Sequence, residues 1–190
     1  MQTWGHRWPL SEGGICLRPL LASDLANFHR YRSDPEVSRY QGWTPMTEEA
    51  AARMLQFMQT VRDLVPGQWM QLGIADLDTD ALLGDLGLCL DAAGGTVELG
   101  ITLGPWAQGR GHATRAVQAV RRLLADRRPG VRLHAVTDAR NGASIRLLER
   151  SGFVREGRRE VEFKGEPCTE YLYVCPPVRL SATLLTGAFP

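Results

Sequence analysis

The sequence lacks the features that mark membrane proteins, secreted proteins and nucleic-acid-binding proteins. Its 190 residues contain no apolar run of the roughly 20 residues that span a bilayer. The formal net charge is +1, so no excess of either sign would attract nucleic acid or an anionic membrane surface. The N-terminal segment is too polar for the apolar core of a secretory signal, which predicts a cytoplasmic location. We therefore expect a monomer or homodimer that binds neither nucleic acid nor membrane.

Cysteine is also scarce. The four cysteines are Cys16, Cys89, Cys168 and Cys175; no two form a CxxC pair, and no histidine stands at the spacing of a metal ligand. We therefore expect reduced thiols, no disulfide framework and no bound metal. Cys89, in the apolar run LGLCLD, is interpreted as a packing residue because no cationic neighbour that would activate it as a nucleophile is visible.

The order of extended and helical segments predicts an α/β (α+β) fold. Strand-like and helix-like patterns follow one another in the order βααβββαβαββ. This order predicts a mixed central sheet of about seven strands with helices on both faces, because helices that alternate with strands pack onto the sheet. We assign residues 1–14 to an N-terminal arm, 15–175 to the domain and 176–190 to a C-terminal tail.

A glycine-rich turn between a strand and a helix carries the clearest chemical signal. In the strand TVELGITL apolar residues alternate with polar ones, so one face is apolar and the other carries a single carboxylate, Glu98. The stretch GPWAQGRGHATRAV, residues 104–117, then opens a helix. Unpaired N–H groups and the helix dipole make such a turn an anion site, for which phosphate is the natural ligand.

Two phosphate-binding schemes do not fit the residues of this turn. A P-loop requires Lys and Ser or Thr after its second glycine, where this chain has Arg110 and Gly111. A dinucleotide fingerprint requires a third glycine, where this chain has Thr114, and it opens a parallel βαβ unit rather than following an antiparallel run. Nucleotide hydrolysis and dinucleotide binding are therefore disfavoured.

The segment QGRGHA, Gln108 to Ala113, resembles the Q/R-x-x-G-x-G/A signature of the GNAT acyl-CoA N-acyltransferases. The resemblance continues upstream in VELGITLGPW and downstream in DARNGASIRLLERSGFVREGRR. The segments YRSDPEVSRYQGW, SGFVREG and KGEPCTEYLY narrow it to the branch that contains the ribosomal-protein N-terminal alanine acetyltransferases. The resemblance implies the GNAT fold, acetyl-CoA as co-substrate, and N-acetylation of a primary amine that is a small molecule or a protein N-terminus.

The resemblance also implies which residues hold the cofactor. Ile101 and Leu103 occupy the strand positions whose backbone pairs with the pantetheine arm, and Asn141 resembles the asparagine that hydrogen-bonds this arm. Arg115 fits a contact with the 3′-phosphate of coenzyme A, with a solvated helix face as the alternative. The loop residues that would surround the pyrophosphate are Gln108, Gly109, Arg110, Gly111, His112, Ala113 and Thr114.

Glu98 is the candidate general base, because acetyl transfer to an amine requires removal of a proton from the ammonium group. Many family members place a tyrosine for the departing thiolate where this chain has Leu148. Ser144 is the candidate replacement, and a hydrogen bond to the carbonyl four residues earlier is its structural alternative. Tyr40 and Trp43 are candidates either for the acceptor site or for core packing.

Two alternatives accompany these expectations. His134 is interpreted as a strand residue without a catalytic role, since no Cys, Asp or Glu stands near it at triad or metal spacing. A non-catalytic GNAT-fold domain that senses acyl-CoA is the alternative function, and the absence of tyrosine at Leu148 is the observation that favours it.

Overall fold

The structure is a computed structural model that describes residues 8–176, so the predicted tail beyond Pro176 lies outside the described residues. The strands are β1 (Leu10–Glu12), β2 (Ile15–Pro19), β3 (Trp69–Asp76), β4 (Leu82–Leu90), β5 (Thr96–Leu103), β6 (Arg132–Asp138), β7 (Val154–Phe163) and β8 (Glu166–Cys175). The α-helices are α1 (Leu25–Arg32), α2 (Pro35–Ser38), α3 (Glu48–Met58), α4 (His112–Arg127) and α5 (Gly142–Arg150). Two 3-10 helices lie at Ala22–Asp24 and Pro105–Ala107.

The strands form one mixed sheet in the order β1-β2-β3-β4-β5-β6-β8-β7. Each neighbouring pair is antiparallel except β5 and β6, which are parallel and are joined through α4. The predicted mixed sheet with flanking helices is confirmed. Strand β1 lies in the segment predicted as an N-terminal arm, and it makes the sheet one strand wider than expected.

Helices cover the two faces of the sheet unequally. On one face, α4 and α5 bury apolar side chains against the strands; those from α4 are Ala116, Val117, Ala119, Val120, Leu123 and Leu124. On the other face, α1 and α3 pack near the start of β4, where Phe28, Tyr31, Leu55 and Leu82 form a smaller apolar cluster. The rest of this second face remains partly open to solvent around Glu98.

The parallel strands β5 and β6 separate after three residue pairs. They pair at Thr96 with Arg132, Val97 with Leu133 and Glu98 with His134, whereas β5 continues to Leu103 and β6 to Asp138. β6 stays paired with β8 over this length, so the two strands diverge and leave a V-shaped gap between them. The gap places unpaired edges of two strands in the middle of the sheet.

Local sequence sets the ends of the elements around the gap. Thr47 caps α3 by accepting a hydrogen bond from the Ala50 N–H, as expected for threonine before an acidic first turn. Helix α5 ends where Gly152 has φ 82°, a left-handed conformation that glycine adopts without strain. The hairpin between β7 and β8 turns at Lys164 and Gly165, with φ 55° and 81°, the signs that a type I′ turn requires.

Candidate active site

The residues Gln108–Thr114, named here the glycine loop, lie at the end of β5 and the start of α4. Gly109 has φ 75° and Gly111 has φ 81°, so both adopt a conformation that a side chain would strain. Gly111 is the N-cap of α4, and no side chain caps the helix there. The first N–H groups of α4 therefore have no side-chain cap and remain available to an external acceptor.

Positive charge surrounds this helix start. Arg110 is exposed in the loop, and the Arg115 guanidinium donates a hydrogen bond to the Arg110 carbonyl at 3.1 Å. Burial lowers the pKa of His112, and the charges of Arg115 and Arg110 lower it further. Within residues 8–176, the buried Nδ1 of His112 has no hydrogen-bond partner. Uncapped donors, an unpartnered imidazole nitrogen and two guanidiniums together fit an anionic ligand such as a pyrophosphate.

The edge of β5 that faces the gap leads from Glu98 to the glycine loop. The Gly104 N–H donates to the Leu83 carbonyl, so every second residue of β5, counted back from Gly104, directs its backbone N–H and C=O towards β4. The residues between them, which include Ile101 and Leu103, direct their backbone N–H and C=O into the gap. The Leu103 carbonyl already accepts a hydrogen bond of 3.1 Å from the Gln108 side chain. Gln108 thus fixes the loop to the strand, while the backbone of Ile101 faces the gap.

Four side chains form a row across the open face of the sheet. Trp69 pairs with Cys89, Cys89 with Glu98, and Glu98 with His134, so these residues of β3, β4, β5 and β6 share one face. We call them the cross-strand row. The distance from Glu98 Oε2 to His134 Nε2 is 3.9 Å, and their side chains are 41% and 27% exposed. The row combines a carboxylate and an imidazole at the point where the gap opens.

The interpretation of His134 as a strand residue without a catalytic role rests on the chain, along which no Cys, Asp or Glu stands near it at triad or metal spacing. In the structure the parallel register of β5 and β6 brings Glu98 next to His134. Because His134 stands between Leu133 and Ala135 in the strand, its imidazole points to the face opposite the apolar one. The register between two strands joined by a long crossover is not readable from this alternation.

Cys89 lies in the row between Trp69 and Glu98. Burial raises the pKa of its thiol, and the charge of Glu98 adds to the increase. A thiol whose pKa is raised is a poor nucleophile, because the thiolate is the reactive form. The geometry therefore agrees with the expectation that Cys89 is not a nucleophile.

Asn141 and Ser144 lie at the start of α5, on the opposite face of the sheet from Glu98. The Asn141 side-chain oxygen accepts a hydrogen bond of 3.1 Å from the Ser144 N–H and so caps the helix. The Ser144 hydroxyl makes no hydrogen bond to any described residue, so the expected alternative, a bond to the carbonyl four residues earlier, is not observed. Leu148 is buried in the core. Ser144 and Glu98 therefore lie on opposite faces of the sheet.

A buried ion pair supports the loop between α2 and α3. Arg32 Nη2 lies 2.5 Å from Asp85 Oδ2, and the Tyr31 hydroxyl donates to Asp85 Oδ1 at 2.7 Å. Burial raises the pKa of Tyr31 well above its usual range, and the charge of Asp85 contributes to the increase. The Trp43 ring lies over the Arg32 guanidinium, 4.5 Å from its carbon. Trp43 is thereby held beside β4, at the open end of the gap.

A second polar cluster lies where β6 ends, across the gap. Asp138 accepts hydrogen bonds from Arg140 at 2.7 Å and from the Cys168 thiol at 3.0 Å. The bond from Arg140 lowers the pKa of Asp138 to about 2. The bond to Asp138 raises the pKa of the Arg140 guanidinium, and Tyr40 lies close enough to Arg140 to make a small further contribution. The loop that carries Tyr40 and Trp43 thus extends from β4 to the end of β6.

Lys164, the only lysine in the sequence, ties the β7–β8 hairpin to this loop. Its Nζ donates to the carbonyls of Ser38 and Trp43 at 2.8 Å and 2.9 Å. Burial lowers the pKa of Lys164. The sequence contains no signal for this contact, because the two segments are far apart in the chain.

No group of three His, Cys, Asp or Glu side chains in the described part of the chain is arranged to hold a metal ion. None of the described helices is both long enough and apolar enough to cross a membrane.

Known proteins resemble this chain in both sequence and structure. Residues 15–154 match the family model described as Acetyltransferase (GNAT) domain. A relative from Bacillus licheniformis, named uncharacterized N-acetyltransferase p20, is 31% identical over 163 residues, which cover 84% of this chain and 90% of that protein.

Two solved structures share the arrangement of helices and strands. An acetyltransferase of the GNAT family from Bacillus anthracis superposes with a TM-score of 0.78 at 21% identity, over 87% of this chain and 96% of that chain. RimL, a ribosomal alpha-N-protein acetyltransferase solved in complex with coenzyme A, superposes with a TM-score of 0.71 at 17% identity, over 91% and 97% of the two chains. At these identities the likeness concerns the fold.

Proposed function

Because the chain belongs to the GNAT acetyltransferase family, we propose that it transfers the acetyl group of acetyl-CoA to a primary amine, with Glu98 as the general base. The observation that carries the proposal is the gap between β5 and β6, which connects an uncapped, positively charged helix start to a carboxylate. An anion site at one end of the gap would suit the charged end of a long thioester. A base at the other end would suit the amine that attacks it.

The glycine loop would hold the pyrophosphate of the cofactor. The backbone N–H groups of Gly109, Gly111 and the first turn of α4 would donate to it, and Arg110 would add charge. The pantetheine arm would extend along the β5 edge at Ile101, like an added strand. The Asn141 amide nitrogen is not engaged by the helix cap, so it can donate to this arm.

Acetyl-CoA supplies the acetyl thioester, and the side chains around the gap move the protons. Glu98 takes a proton from the acceptor ammonium, directly or through a water, so that the neutral amine attacks. Ser144, at the start of α5 on the opposite face of the sheet, would donate a proton to the departing sulfur. Direct attack requires no acyl-enzyme, which agrees with the raised pKa of Cys89.

His134 gives the proton on Glu98 a route to solvent. The 3.9 Å between their side chains is too long for a direct hydrogen bond, but one water can bridge it. Through that water the imidazole can accept the proton that Glu98 has taken from the amine. Glu98 would then return to the carboxylate form needed for the next turnover.

The acceptor would approach on the open face, between the cross-strand row and the loop that carries Tyr40 and Trp43. This placement supports the expected role of both aromatics at the acceptor site, although Trp43 also packs on Arg32. RimL is named for a ribosomal protein substrate. A protein N-terminus and a small amine are therefore both candidates for this chain.

The experiment is thiol release from acetyl-CoA, followed with a panel of free amines and of peptides with free N-termini. We expect release that depends on one class of amine, and mass spectrometry should find the acetyl group on that amine. Reactions without amine provide the background rate. Tight acetyl-CoA binding with no amine-dependent release from any member of the panel would instead favour a sensor, the function suggested by Leu148.

A further inference from the structure

The indole of Trp69 lies on the sheet beside the proposed base. Trp69 belongs to the cross-strand row, two strands from Glu98. The next residues of β4 and β5 on this face are Gly87 and Gly100, which pair with each other. A Cβ at Gly87 would be 2.8 Å from the Gln71 amide nitrogen and 2.9 Å from Trp69 Cε3, and a Cβ at Gly100 would be 3.7 Å from Trp69 Cζ3. The ring therefore leans from β3 across both glycines and reaches β5 next to Glu98.

The two glycines make this position of the ring possible. At 2.9 Å, a Cβ at Gly87 would overlap the indole, so a larger residue would displace the ring from the sheet. At Gly100 the contact would be of ordinary van der Waals length. One side of the indole thus lies over Gly87 and Gly100, where the Gln71 side chain also reaches Gly87, and the other side faces the open half of the sheet.

The outer side of the indole remains in water. Trp69 is 38% exposed, which makes it one of the more exposed large apolar residues among those described. Its neighbours in the row are Cys89, half-buried, and Glu98, 41% exposed. An apolar ring at the floor of a polar cleft gains free energy when a ligand covers it, because its surface leaves water.

The position of the ring determines where the covering group would lie in the acceptor. Glu98 and Gly100 are two residues apart on one face of β5, a separation of about 7 Å along an extended strand. An amine at Glu98 would therefore have its covering group about 5–7 Å from the nitrogen, where the centre and far edge of a ring on a two-carbon spacer lie. A flat group at that distance stacks on the indole, and the carbons next to the ammonium group also contact the ring favourably.

From this placement we infer that the acceptor is an arylalkyl amine, whose aromatic group stacks on Trp69 while its nitrogen faces Glu98. The inference rests on the proposed function and specifies its substrate class. The same chemistry occurs in a free amine such as 2-phenylethylamine and in a peptide that begins with an aromatic residue. Both carry the ring two carbons from a primary amine.

The test compares matched amines with and without the ring. The free amines are 2-phenylethylamine, 2-cyclohexylethylamine and propylamine, and the peptides begin with Phe or with Ala. Each is assayed for kcat/KM with the wild type, Trp69→Ala and Trp69→Phe. Binding of the free amines is also measured by calorimetry in the presence of coenzyme A, which permits no acetyl transfer. Phe57→Ala is the control, because Phe57 is an aromatic residue on α3 that is 52% exposed and does not belong to the cross-strand row.

We expect the wild type to favour the aryl member of the free pair or the peptide pair by about tenfold, and the cyclohexyl amine to be intermediate. Trp69→Ala should reduce this preference to less than about twofold, whereas Trp69→Phe and Phe57→Ala should retain most of it. Acetyl-CoA affinity should remain that of the wild type in each variant. Which pair shows the preference identifies the source of the amine.

Acetylation without an aryl preference, or with one that survives in Trp69→Ala, would overturn this inference and leave the proposed function intact. If no amine is acetylated, the proposed function fails. The stacking site is then tested by calorimetry alone, through the binding of the free amines. Binding of 2-phenylethylamine that is weakened in Trp69→Ala would still support the stacking site. Equal binding by both proteins, or no binding by the wild type, would contradict it.

Discussion

The glycine loop and the cross-strand row differ in how the chain assembles them. The glycine loop is seven consecutive residues, Gln108–Thr114, whose geometry depends on two left-handed glycines and the start of one helix. The cross-strand row takes one residue from each of four strands, and its geometry depends on the register of the sheet. The first is a local structure and the second is a tertiary structure, and we propose that they bind the anionic cofactor and the acceptor respectively.

The largest effect should follow from filling the glycine loop. Gly109 and Gly94 both have φ 75°, and neither would bring a Cβ within 4 Å of another group. Gly109→Trp and Gly94→Trp therefore add the same strain and the same bulk. We expect Gly109→Trp to weaken acetyl-CoA binding at least about 100-fold, since several hydrogen bonds to a charged ligand are lost.

Calorimetry with acetyl-CoA measures this difference, and thermal unfolding checks that both variants fold. Gly94→Trp should bind like the wild type. Equal affinity in Gly109→Trp and Gly94→Trp would show that the cofactor binds elsewhere.

The next effect concerns the polar cluster around Asp138, at the end of β6. The pKa of Asp138 is lowered to about 2, so its carboxylate stabilises the fold above the unfolded value of about 3.9, and this stabilisation is lost as pH falls through about 2. Asp138→Asn should lower the free energy of unfolding by about 2 kcal/mol at pH 7. The difference from the wild type should shrink as the pH falls from about 4 towards 2.

Urea unfolding at several pH values measures this difference. Asp78→Asn, at an exposed position, should have little effect at any pH. A loss of stability in Asp138→Asn that is the same at low and neutral pH would mean that packing, rather than charge, is responsible.

Asn141 separates helix capping from cofactor binding. Asn141→Asp keeps an oxygen that accepts from the Ser144 N–H but removes the amide donor, so stability should be retained while acetyl-CoA affinity falls up to about tenfold. Asn141→Ala should lose about 1 kcal/mol of stability as well. Unfolding curves and calorimetry on both variants would show whether the two functions are separate. Full affinity in Asn141→Asp would exclude the amide as a cofactor donor.

The smallest effect should come from the contact between the β7–β8 hairpin and the loop that carries Tyr40 and Trp43. Lys164→Met removes the hydrogen bonds to the Ser38 and Trp43 carbonyls, so the KM for the amine should rise about threefold, with the KM for acetyl-CoA unchanged. Lys164→Arg retains a donor and should be closer to the wild type. Steady-state kinetics with each substrate varied in turn measure both constants. A rise in the acetyl-CoA constant alone would contradict a role at the acceptor side.

The sequence predicted the local structures better than the tertiary ones, for a physical reason. The glycine loop, with Gly109 and Gly111, is determined by residues that are neighbours in the chain. The contact of His134 with Glu98 depends on the pairing of β5 with β6. Alternation assigns each residue to a face but does not give the register between strands.

The position of Trp69 could not be predicted for the same reason. An aromatic residue at the start of a strand and a glycine in each of two later strands are unremarkable separately. Only the pairing of β3, β4 and β5 brings Trp69 over Gly87 and Gly100. The glycine loop could therefore be found in the sequence, whereas the proposed acceptor side required the structure.

The most direct test of the account is amine-dependent thiol release by Glu98→Gln at saturating acetyl-CoA, with acetyl-CoA affinity measured on the same sample. The account predicts a fall in kcat of about 100-fold or more, the size expected for a lost general base, with affinity unchanged. Glu156→Gln, which alters an exposed carboxylate paired with Arg132, should retain the wild-type rate. Wild-type turnover in Glu98→Gln would contradict the account, because it would place the base elsewhere.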